Sequence, residues 1–351
     1  MAWTFEDAAT SFSRYCSEWD EINRAHGNHL LQDPFFVQLL INYWGQPGLL
    51  VGHSKEKGSR GVVLLEQSRR GCWQTFSPSQ APLGLILLEK GDDIQEQVGA
   101  ILRGLPGYAL TLTITNQDPD WTSLKYQPTG TRAIEIVPYI DTARVMVQGT
   151  FENYWKKRGK DLVSNQSRRR RRLAESGVEV GLVVERDPGR VEDCIREYGR
   201  LEESGWKASE GTAVSATNKQ GLFYRHVMEQ FCEKGEGTIY QLVFDGKTVA
   251  SQLAIHRQDV LIFLKMAYDE TFKQAAPGYL LRESILKEVF AEGKIMVIEL
   301  YGRVRDGWTL KWTDDVRGLY HLNCYRHAWL ADARSLVKGV QSRLGGPVAH
   351  S

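Results

Sequence analysis

The sequence has no strong charge imbalance, no CxxC pair and no metal-binding histidine motif, so its composition is that of an ordinary folded globular protein. Its 44 basic residues nearly balance 43 acidic ones, so a net charge of +1 gives no electrostatic argument for nucleic acid or a membrane surface as a partner of the whole chain. Five cysteines, an odd number without a CxxC pair, argue against a disulfide framework and indicate reduced thiols. The eight histidines have no HExxH spacing, so we expect no metal site.

Long hydrophobic runs and targeting signals are also lacking. No stretch approaches the roughly 18 apolar residues of a membrane span, and the first residues, MAWTFEDAATSFSRY, have neither a basic nor an apolar leader region. We therefore expect a cytoplasmic protein without a membrane span. A length of 351 residues favours two domains or one large duplicated one.

In the first half of the sequence, helical and strand patterns follow one another. A helix is expected over residues 34–46, with Asp33 as its cap and proline at its start. The strands GLLVGHS, RGVVLLEQS and the long CWQTFSPSQAPLGLILLE come next, then a helix with apolar residues at 94, 98, 101, 102 and 105. The strands YALTLTIT and RAIEIVPYIDT close this half near residue 142.

The second half repeats that order of elements. A long helix from about 150 to 176, the strand VEVGLVVE and helices over 188–204 and 218–234 come first. The strands TIYQLVFDG and KTVASQLAIH are joined at Asp245-Gly246, a hairpin signal, and DVLIFLKMAYD, helix 279–292 and strand 295–302 follow. The same series of elements thus begins near Gly48 and again near Gly237: a hairpin, a long third strand, a loop, a helix and a strand. We predict a duplicated, mixed α+β fold whose domains are residues 1–147 and 148–351.

The loop of residues 273–278, KQAAPG, connects the third strand of the second half to its helix. A helix start presents unpaired N–H groups and the positive end of the helix dipole, which suit a pyrophosphate. Small residues allow close approach of a ligand, the glycine permits the turn, and the proline suits the first position of the helix. An ordinary strand-to-helix connection would have the same composition.

Three segments carry a family resemblance: YWKKRGKDLVSNQSRRRRRLAESG at 154–177, LEESGWKASEGTA at 201–213, and KMAYDETFKQAAPGYLLRESILKEVFAEG from 265. They resemble the CelD-type, BioF2-like acetyltransferase family of the GNAT superfamily, which is similar to the FemABX peptidyltransferases. The resemblance covers mainly residues 150–315, and the N-terminal half matches by pattern alone. The sequence departs from the family pattern at two places. The usual phosphate loop reads Q/R-x-x-G-x-G/A, and only one of its glycines is present here. The family also often has a Tyr-Lys pair before a tryptophan, and in this sequence that lysine is absent or displaced to Lys311.

The resemblance implies tandem GNAT-like domains, each a mixed, mostly antiparallel sheet flanked by helices. The C-terminal domain would hold acetyl-CoA or another acyl-coenzyme A as the donor, and the degenerate N-terminal domain would lie on the acceptor side. The strands at 259–269 and 295–301 would splay apart around the pantetheine arm. The donor-binding residues would be Met266, Ala267, Gln274, Ala275, Ala276, Gly278 and Tyr279.

Transfer of an acyl group to an amine requires a base, an oxyanion donor and an acid. Glu299 and Tyr301 alternate onto one strand face, so Glu299 is the candidate base and Tyr301 the candidate acid; pairing of Glu299 with Arg303 or Arg305 is the structural alternative. The backbone N–H groups near Met266 and Ala267 are the candidate oxyanion donors. Asp269, a third catalytic candidate, would otherwise cap the turn that follows it.

The acceptor pocket is expected to contain residues of two matched motifs. Lys265 and Tyr268 belong to the K-x-x-Y-D motif that ends in Asp269, and Glu203, Trp206 and Lys207 belong to ESGWK. An aromatic wall beside a charge pair suits a polar acceptor such as an amino sugar or amino acid, although ESGWK would also suit a helix end at the surface.

The basic run at 156–172 contains KKRGK and RRRRR. A solvated helix face explains such a run, and so does contact of Arg168, Arg169 or Arg172 with an anionic donor or acceptor. Our first hypothesis is an N-acyltransferase acting from acyl-CoA on an amine of a small molecule or sugar precursor. The alternatives are a peptidyltransferase that uses aminoacyl-tRNA, for which this helix would contact the tRNA backbone, and a non-catalytic twin-domain binding protein.

Overall fold

The structure is a computed structural model that describes residues 3–56, 60–89, 91, 93–122, 124, 133–203, 215, 217–304 and 307–332. Its chain forms two compact units. Unit 1 contains the described residues up to Ile140 and those from Gly318 onward, and unit 2 runs from Asp141 to Arg317. The assignment of separate donor and acceptor roles to residues 1–147 and 148–351 stays a prediction.

Unit 1 is built from the elements of the first half of the chain and one late strand. Its helices are α1 (Ala8–Ser11), α2 (Cys16–Ala25), α3 (Pro34–Trp44) and α4 (Ile94–Gly104). Its strands are β1 (Thr4–Asp7), β2 (Leu50–Ser54), β3 (Gly61–Arg69), β4 (Cys72–Thr75), β5 (Ile86–Leu88), β6 (Thr111–Gln117), the first part of β7 (Ile134–Met146) and most of β13 (Val316–Tyr325).

Unit 2 contains the elements between these two shared strands. Its helices are α5 (Phe151–Lys156), α6 (Lys160–Glu175), α7 (Val191–Glu203), α8 (Lys219–Glu233) and α9 (Pro277–Glu292). Its strands are the end of β7, β8 (Val180–Glu185), β9 (Gly237–Phe244), β10 (Lys247–Arg257), β11 (Val260–Tyr268) and β12 (Val297–Leu300).

The two units share one pairing scheme. In unit 1, β1, β2, β3 and β4 pair antiparallel in that order, β4 pairs parallel with β6, and β6 pairs antiparallel with β13. In unit 2, β8, β9, β10 and β11 pair antiparallel, β11 pairs parallel with β12, and β12 pairs antiparallel with β7. The duplication predicted from element order is therefore present in the strand topology, and the mixed α+β fold class is confirmed.

Local signals explain the elements that the sequence located well. Asp33 accepts a hydrogen bond from the Phe35 amide at 2.9 Å and so caps α3, which begins with Pro34. Between β9 and β10, Asp245 and Gly246 have φ angles of 48° and 77°, the positive values that a tight hairpin turn of this kind requires.

Two expectations about elements were wrong, and one element was missed. The long strand expected from Cys72 ends at Thr75, and β5 resumes only at Ile86, because prolines 78 and 82 cannot donate to a continuous ladder. The helix expected from about 150 to 176 is two helices separated around Gly159. Strand β13 was not foreseen at all.

Helix α9 lies at the centre of the core of unit 2. Its buried apolar residues Leu280, Leu281, Ile285 and Leu286 pack with side chains of β9, β10 and β11 in one hydrophobic cluster. Because α9 is packed on several sides, its first turn has a fixed position relative to the end of β11.

Candidate functional site

Strands β11 and β12 separate within unit 2. They pair at three positions, Val260 with Val297, Leu261 with Ile298 and Ile262 with Glu299. Strand β11 then continues to Tyr268 beside β10, while β12 ends at Leu300 beside β7. Beyond Ile262, the edge of β11 that faces β12 is therefore no longer paired with that strand. This separation is the splay that the sequence resemblance implied.

The register of β10 and β11 determines which amides face the opened edge. The Asp269 N–H donates to the Val249 carbonyl at 2.8 Å, and residues of an antiparallel ladder alternate in the direction of their N–H groups. The Met266 and Tyr268 amides thus point to the opened edge, and that of Ala267 points toward Ser251 on β10. Of the two amides expected to stabilise an oxyanion, the register directs Met266 to the opening.

Asp269 ends β11 and organises the loop that follows. Its carboxylate accepts hydrogen bonds from the amide and hydroxyl of Thr271, and Arg200 and Lys247 lie 3.4 Å from its other oxygen. Burial alone would raise the pKa of Asp269, but the hydrogen bonds from Thr271 and the charge of Lys247 outweigh it and lower that pKa. These contacts are those of the turn cap, the structural alternative for this residue.

The loop after Asp269 is a 3₁₀ helix, Glu270–Ala275, in which Gln274 is exposed and Ala275 half-buried. The next residue, Ala276, adopts the left-handed conformation with φ 49° and ψ 60°, and no side chain caps the start of α9. Gly278 lies in the first turn of α9 and is not at a positive φ. The turn that we assigned to the glycine is therefore made by Ala276.

We expect Ala276→Gly to stabilise the protein by about 1 kcal/mol, because a residue with a Cβ is strained in the left-handed region. Urea unfolding measures this change. The matched control is Ala275→Gly, one residue earlier in the 3₁₀ helix, which should destabilise by about 0.5–1 kcal/mol since it only adds freedom to the unfolded chain. Equal effects of the two changes would contradict the assignment of the strain to Ala276.

Aromatic and cationic side chains surround the start of α9. The Tyr279 ring lies 5.9 Å from the rings of both Trp308 and Trp312, and the cationic groups of Arg169 and Lys311 lie 5.1 and 5.4 Å from its centre. Burial lowers the pKa of Arg169. Two cations beside an uncapped helix start make this a positively charged corner that suits an anion.

The basic helix α6 divides its arginines between packing and solvent. Arg170 donates to the Glu283 carboxylate of α9 at 3.2 Å, and Gln166 donates to the same oxygen at 3.0 Å. Arg168 and Arg172 are exposed, and Arg168 donates to Asn165 of its own helix. Of the three arginines considered from the sequence, the structure thus brings Arg169 to the start of α9 and leaves Arg168 and Arg172 exposed.

Glu299 and Tyr301 meet on the face of the sheet opposite α9. Ile298 and Leu300 of β12 pack in the α9 cluster, so Glu299 between them points the other way. Glu299 is fully buried and accepts a hydrogen bond from Arg317 at 2.7 Å, and the Arg317 guanidinium lies 5.5 Å from the Tyr301 ring. The predicted base and acid therefore share Arg317, which the sequence had not suggested. Of the two arginines that it did suggest as partners of Glu299, Arg305 lies outside the described residues.

A second polar group lies against β11 on that face. Lys265 is 5.9 Å from the ring centre of Tyr224 in α8, and the Tyr198 hydroxyl donates to Glu202 of α7 at 3.0 Å. Burial raises the pKa of both tyrosines, so they remain neutral hydrogen-bond donors. Glu203, the residue named from the sequence, is exposed, and Trp206 and Lys207 lie outside the described residues.

Sequence reasoning missed Glu202 and Arg317 as members of these clusters. Glu202 and Glu203 are adjacent, and only the helical face that α7 buries distinguishes them. Within the described ranges, no helix has both the length and the apolar character to cross a bilayer, and no cluster of three or more His, Cys, Asp or Glu residues is arranged to hold a metal ion.

Comparisons with known proteins agree with this geometry. Residues 161–308 match the acetyltransferase (GNAT) domain family. The C-terminal domain of a putative lysylphosphatidylglycerol synthetase from Agrobacterium fabrum is 13% identical, with a TM-score of 0.57 over 94% of this chain and 97% of that one. FemX is 10% identical, with a TM-score of 0.56 over 91% of this chain and 98% of FemX. A conserved protein of unknown function from Bacteroides thetaiotaomicron is 12% identical, with a TM-score of 0.50 over 92% of this chain and 99% of that one. No curated protein sequence matched the chain.

Proposed function

We propose that this chain, which carries a GNAT domain and shares the fold of FemX, transfers an acyl group from an acyl-coenzyme A to an amine. The observation that carries this proposal is the edge of β11 that opens after Ile262 and leads to Met266 and Tyr268, beside the uncapped start of α9. A thioester donor needs both parts, a free strand edge for its amide-containing arm and an electropositive corner for its phosphates.

The donor would lie along the opened edge of β11. Its phosphates would contact the first turn of α9, with Arg169 and Lys311 on either side of Tyr279. Its pantetheine amides would pair with the backbone of Met266 and Tyr268, and the Met266 N–H would stabilise the oxyanion that forms on the thioester carbonyl. Acetyl is the simplest acyl group for this donor.

The acceptor amine would approach from the face that carries Lys265, Tyr224 and Glu299. Attack of the amine forms a C–N bond, and its proton passes to a base, for which Glu299 is our candidate. Collapse of the intermediate breaks the C–S bond, and Tyr301 would supply the proton that the leaving thiolate takes up. Charged and hydroxyl groups on this face favour a polar acceptor such as an amino acid or amino sugar.

Calorimetric titration with acetyl-CoA and with free coenzyme A tests the donor class directly. We expect saturable binding of both ligands. Lack of binding at about 1 mM donor, which corresponds to a binding free energy of only about 4 kcal/mol, would contradict acyl-CoA dependence. Release of the CoA thiol from acetyl-CoA in the presence of a panel of primary amines then identifies the acceptor class.

Arginines of α6 provide a matched set of variants for this titration. Arg169→Gln should weaken coenzyme A binding by about tenfold, because it removes a half-buried cation beside the start of α9. Arg168→Gln and Arg172→Gln, which change exposed residues of the same helix, should leave the affinity unchanged. Equal losses in all three variants would show that α6 acts only through its overall charge.

The exposed Arg168 and Arg172 favour a second candidate, transfer from an aminoacyl-tRNA as the resemblance to FemABX peptidyltransferases implies. This function predicts tRNA binding whose affinity falls steeply with salt concentration and whose salt dependence weakens when both arginines are changed to glutamine. It also predicts indifference to coenzyme A. Binding of neither donor would leave a non-catalytic binding protein as the function of the fold.

A further inference from the structure

Within the described part of the chain, Arg282 of α9 is a buried cation without an anionic partner. It is 4% exposed, and among the described residues its hydrogen bonding is limited to one contact of 3.4 Å from Nη2 to the Gln252 side-chain oxygen. Its Nε and Nη1 atoms are buried, and no described residue offers them an acceptor. A guanidinium has five N–H donors, so most of the hydrogen-bonding capacity of Arg282 is unused.

The surroundings of Arg282 are aromatic and hold it in place. Its guanidinium carbon lies 4.3 Å from the ring centre of Phe263 and 5.0 Å from that of Trp308. Gln252 is fixed in turn, since its side-chain nitrogen donates to the carbonyls of Leu253 and Lys265 at 3.0 and 2.9 Å, which leaves its oxygen for Arg282. The cation is therefore held in position by its neighbours, although none of them carries a negative charge.

A second orphaned donor lies in the same aromatic cluster. Trp312 is fully buried, its ring lies 6.2 Å from that of Trp308, and its Nε1 has no hydrogen-bond acceptor among the described residues. Indole and guanidinium groups donate hydrogen bonds and accept none. A ligand group that met either donor would therefore be an acceptor, and the positive charge of Arg282 favours an anion.

Burial lowers the pKa of Arg282 to about 9, which still leaves it charged at neutral pH. Contact with aromatic faces offsets only part of the cost of a buried charge. A ligand with a negative charge would offset the rest, and removal of the charge by mutation would do so as well. This contrast separates a ligand-binding arginine from one that supports the fold.

The position of Arg282 indicates which anion it meets. It lies four residues after Gly278, about 6 Å further along α9 than the positively charged first turn. It stands against Phe263, the first residue of β11 beyond the last pair with β12. Phe263 thus marks the place where β11 and β12 begin to separate. The acyl end of a bound thioester would lie there, further along the strand than its phosphates.

We propose that Arg282 binds the carboxylate group of a ligand at the point where β11 and β12 part. The planar guanidinium donates two parallel hydrogen bonds to a carboxylate, and the aromatic walls exclude competing water. The carboxylate has two sources, a dicarboxylic acyl group on the donor or a carboxylate on the acceptor. The choice between these two sources rests on the proposed acyl transfer, whereas the anion site itself is inferred from Arg282 and does not depend on that function.

The first experiment uses the full chain without any donor. Succinate should raise the unfolding temperature of the unmodified protein, and its neutral isostere succinamide should not. The shift should disappear in Arg282→Met and shrink in Arg282→Lys, while Arg168→Gln keeps it. The Arg282→Met protein should be at least as stable as the unmodified one in the absence of ligand, because it loses an unpaired buried charge.

The second experiment identifies the source of the carboxylate. Preference for succinyl-CoA over butyryl-CoA, which has the same number of acyl carbons but no carboxylate, by about tenfold or more, lost in Arg282→Met, assigns the carboxylate to the donor. Stimulation of thiol release by amino acids but not by their amides, again lost in Arg282→Met, assigns it to the acceptor. The Arg282→Met variant should still bind coenzyme A itself. If the unmodified protein does not bind coenzyme A either, the proposed donor is wrong, and that result is distinct from a failure of the carboxylate proposal.

Two results would overturn the proposal. One is a marked loss of stability in ligand-free Arg282→Met that Arg282→Lys does not share, which would make the cation a structural element of the aromatic cluster. The other is an unmodified protein that is indifferent to succinate, to the acyl charge of the donor and to the carboxylate of the acceptor.

Discussion

Replacing Glu299 by alanine is expected to lower the free energy of unfolding by about 3–5 kcal/mol, because it removes one member of a buried ion pair and deprives the buried charge of Arg317 of this carboxylate. The Arg317 side chain is 8% exposed and that of Glu299 is not exposed at all. Urea unfolding provides the measurement. The control is Asp315→Ala, which breaks the ion pair between Asp315 and Arg144 on strand β7; those side chains are 35% and 29% exposed, and the expected cost is about 1 kcal/mol or less.

A double variant separates the structural role of this pair from catalysis. Glu299→Leu combined with Arg317→Met replaces both charges with apolar side chains and should recover most of the stability lost in Glu299→Ala. If Glu299 is the base, the double variant folds but stays inactive, and Glu299→Gln lowers kcat by about 100-fold or more. A stable double variant that retains acyl transfer would exclude Glu299 as the base.

Filling the space at Gly278 should abolish donor binding. A Cβ at this position would lie 3.5 Å from the Met266 methyl and 3.6 Å from the Tyr268 ring, which is ordinary contact, so Gly278→Ala is expected to fold and bind normally. Gly278→Phe would project beyond that contact into the space between α9 and the opened edge of β11. We expect coenzyme A affinity to fall by about 100-fold or more, since phosphate-binding turns depend on close approach of the backbone.

Calorimetry with coenzyme A measures this loss, and circular dichroism of the same sample shows whether the fold is intact. Gly278→Ala serves as the matched control. A folded Gly278→Phe protein that binds coenzyme A like the unmodified one would place the donor elsewhere on the molecule.

Elements with local signals were predictable from the sequence. The cap at Asp33, the Asp245-Gly246 turn and the apolar spacing of α4 depend on residues only a few positions apart. Strand β13 was missed because its partner is distant in sequence, since Leu322 pairs with Ile114. The sequence of β13, VRGLYHLNCY, has no local feature that indicates this pairing. The same reason explains the error at Cys72, where two prolines end a strand that composition alone would continue.

Candidate site residues were predictable as types but not as partners. The sequence placed Glu299 and Tyr301 on one face, but Arg317 enters from a strand that was not foreseen. In α9, Arg282 looks like any polar position of a helix, and only the packing of that helix on several sides makes it a buried, unpaired cation. The left-handed Ala276 was equally hidden, because a glycine two residues later offered a simpler explanation of the turn.

The late strand of unit 1 has a consequence for synthesis of the chain on the ribosome. Unit 2 is continuous in sequence from Asp141 to Arg317, but β6 gains its antiparallel neighbour only when residues up to Tyr325 have emerged. The unit that is begun first is thus completed last, and until then β6 has an edge open to other chains. Chaperone binding during translation would be most useful in that interval.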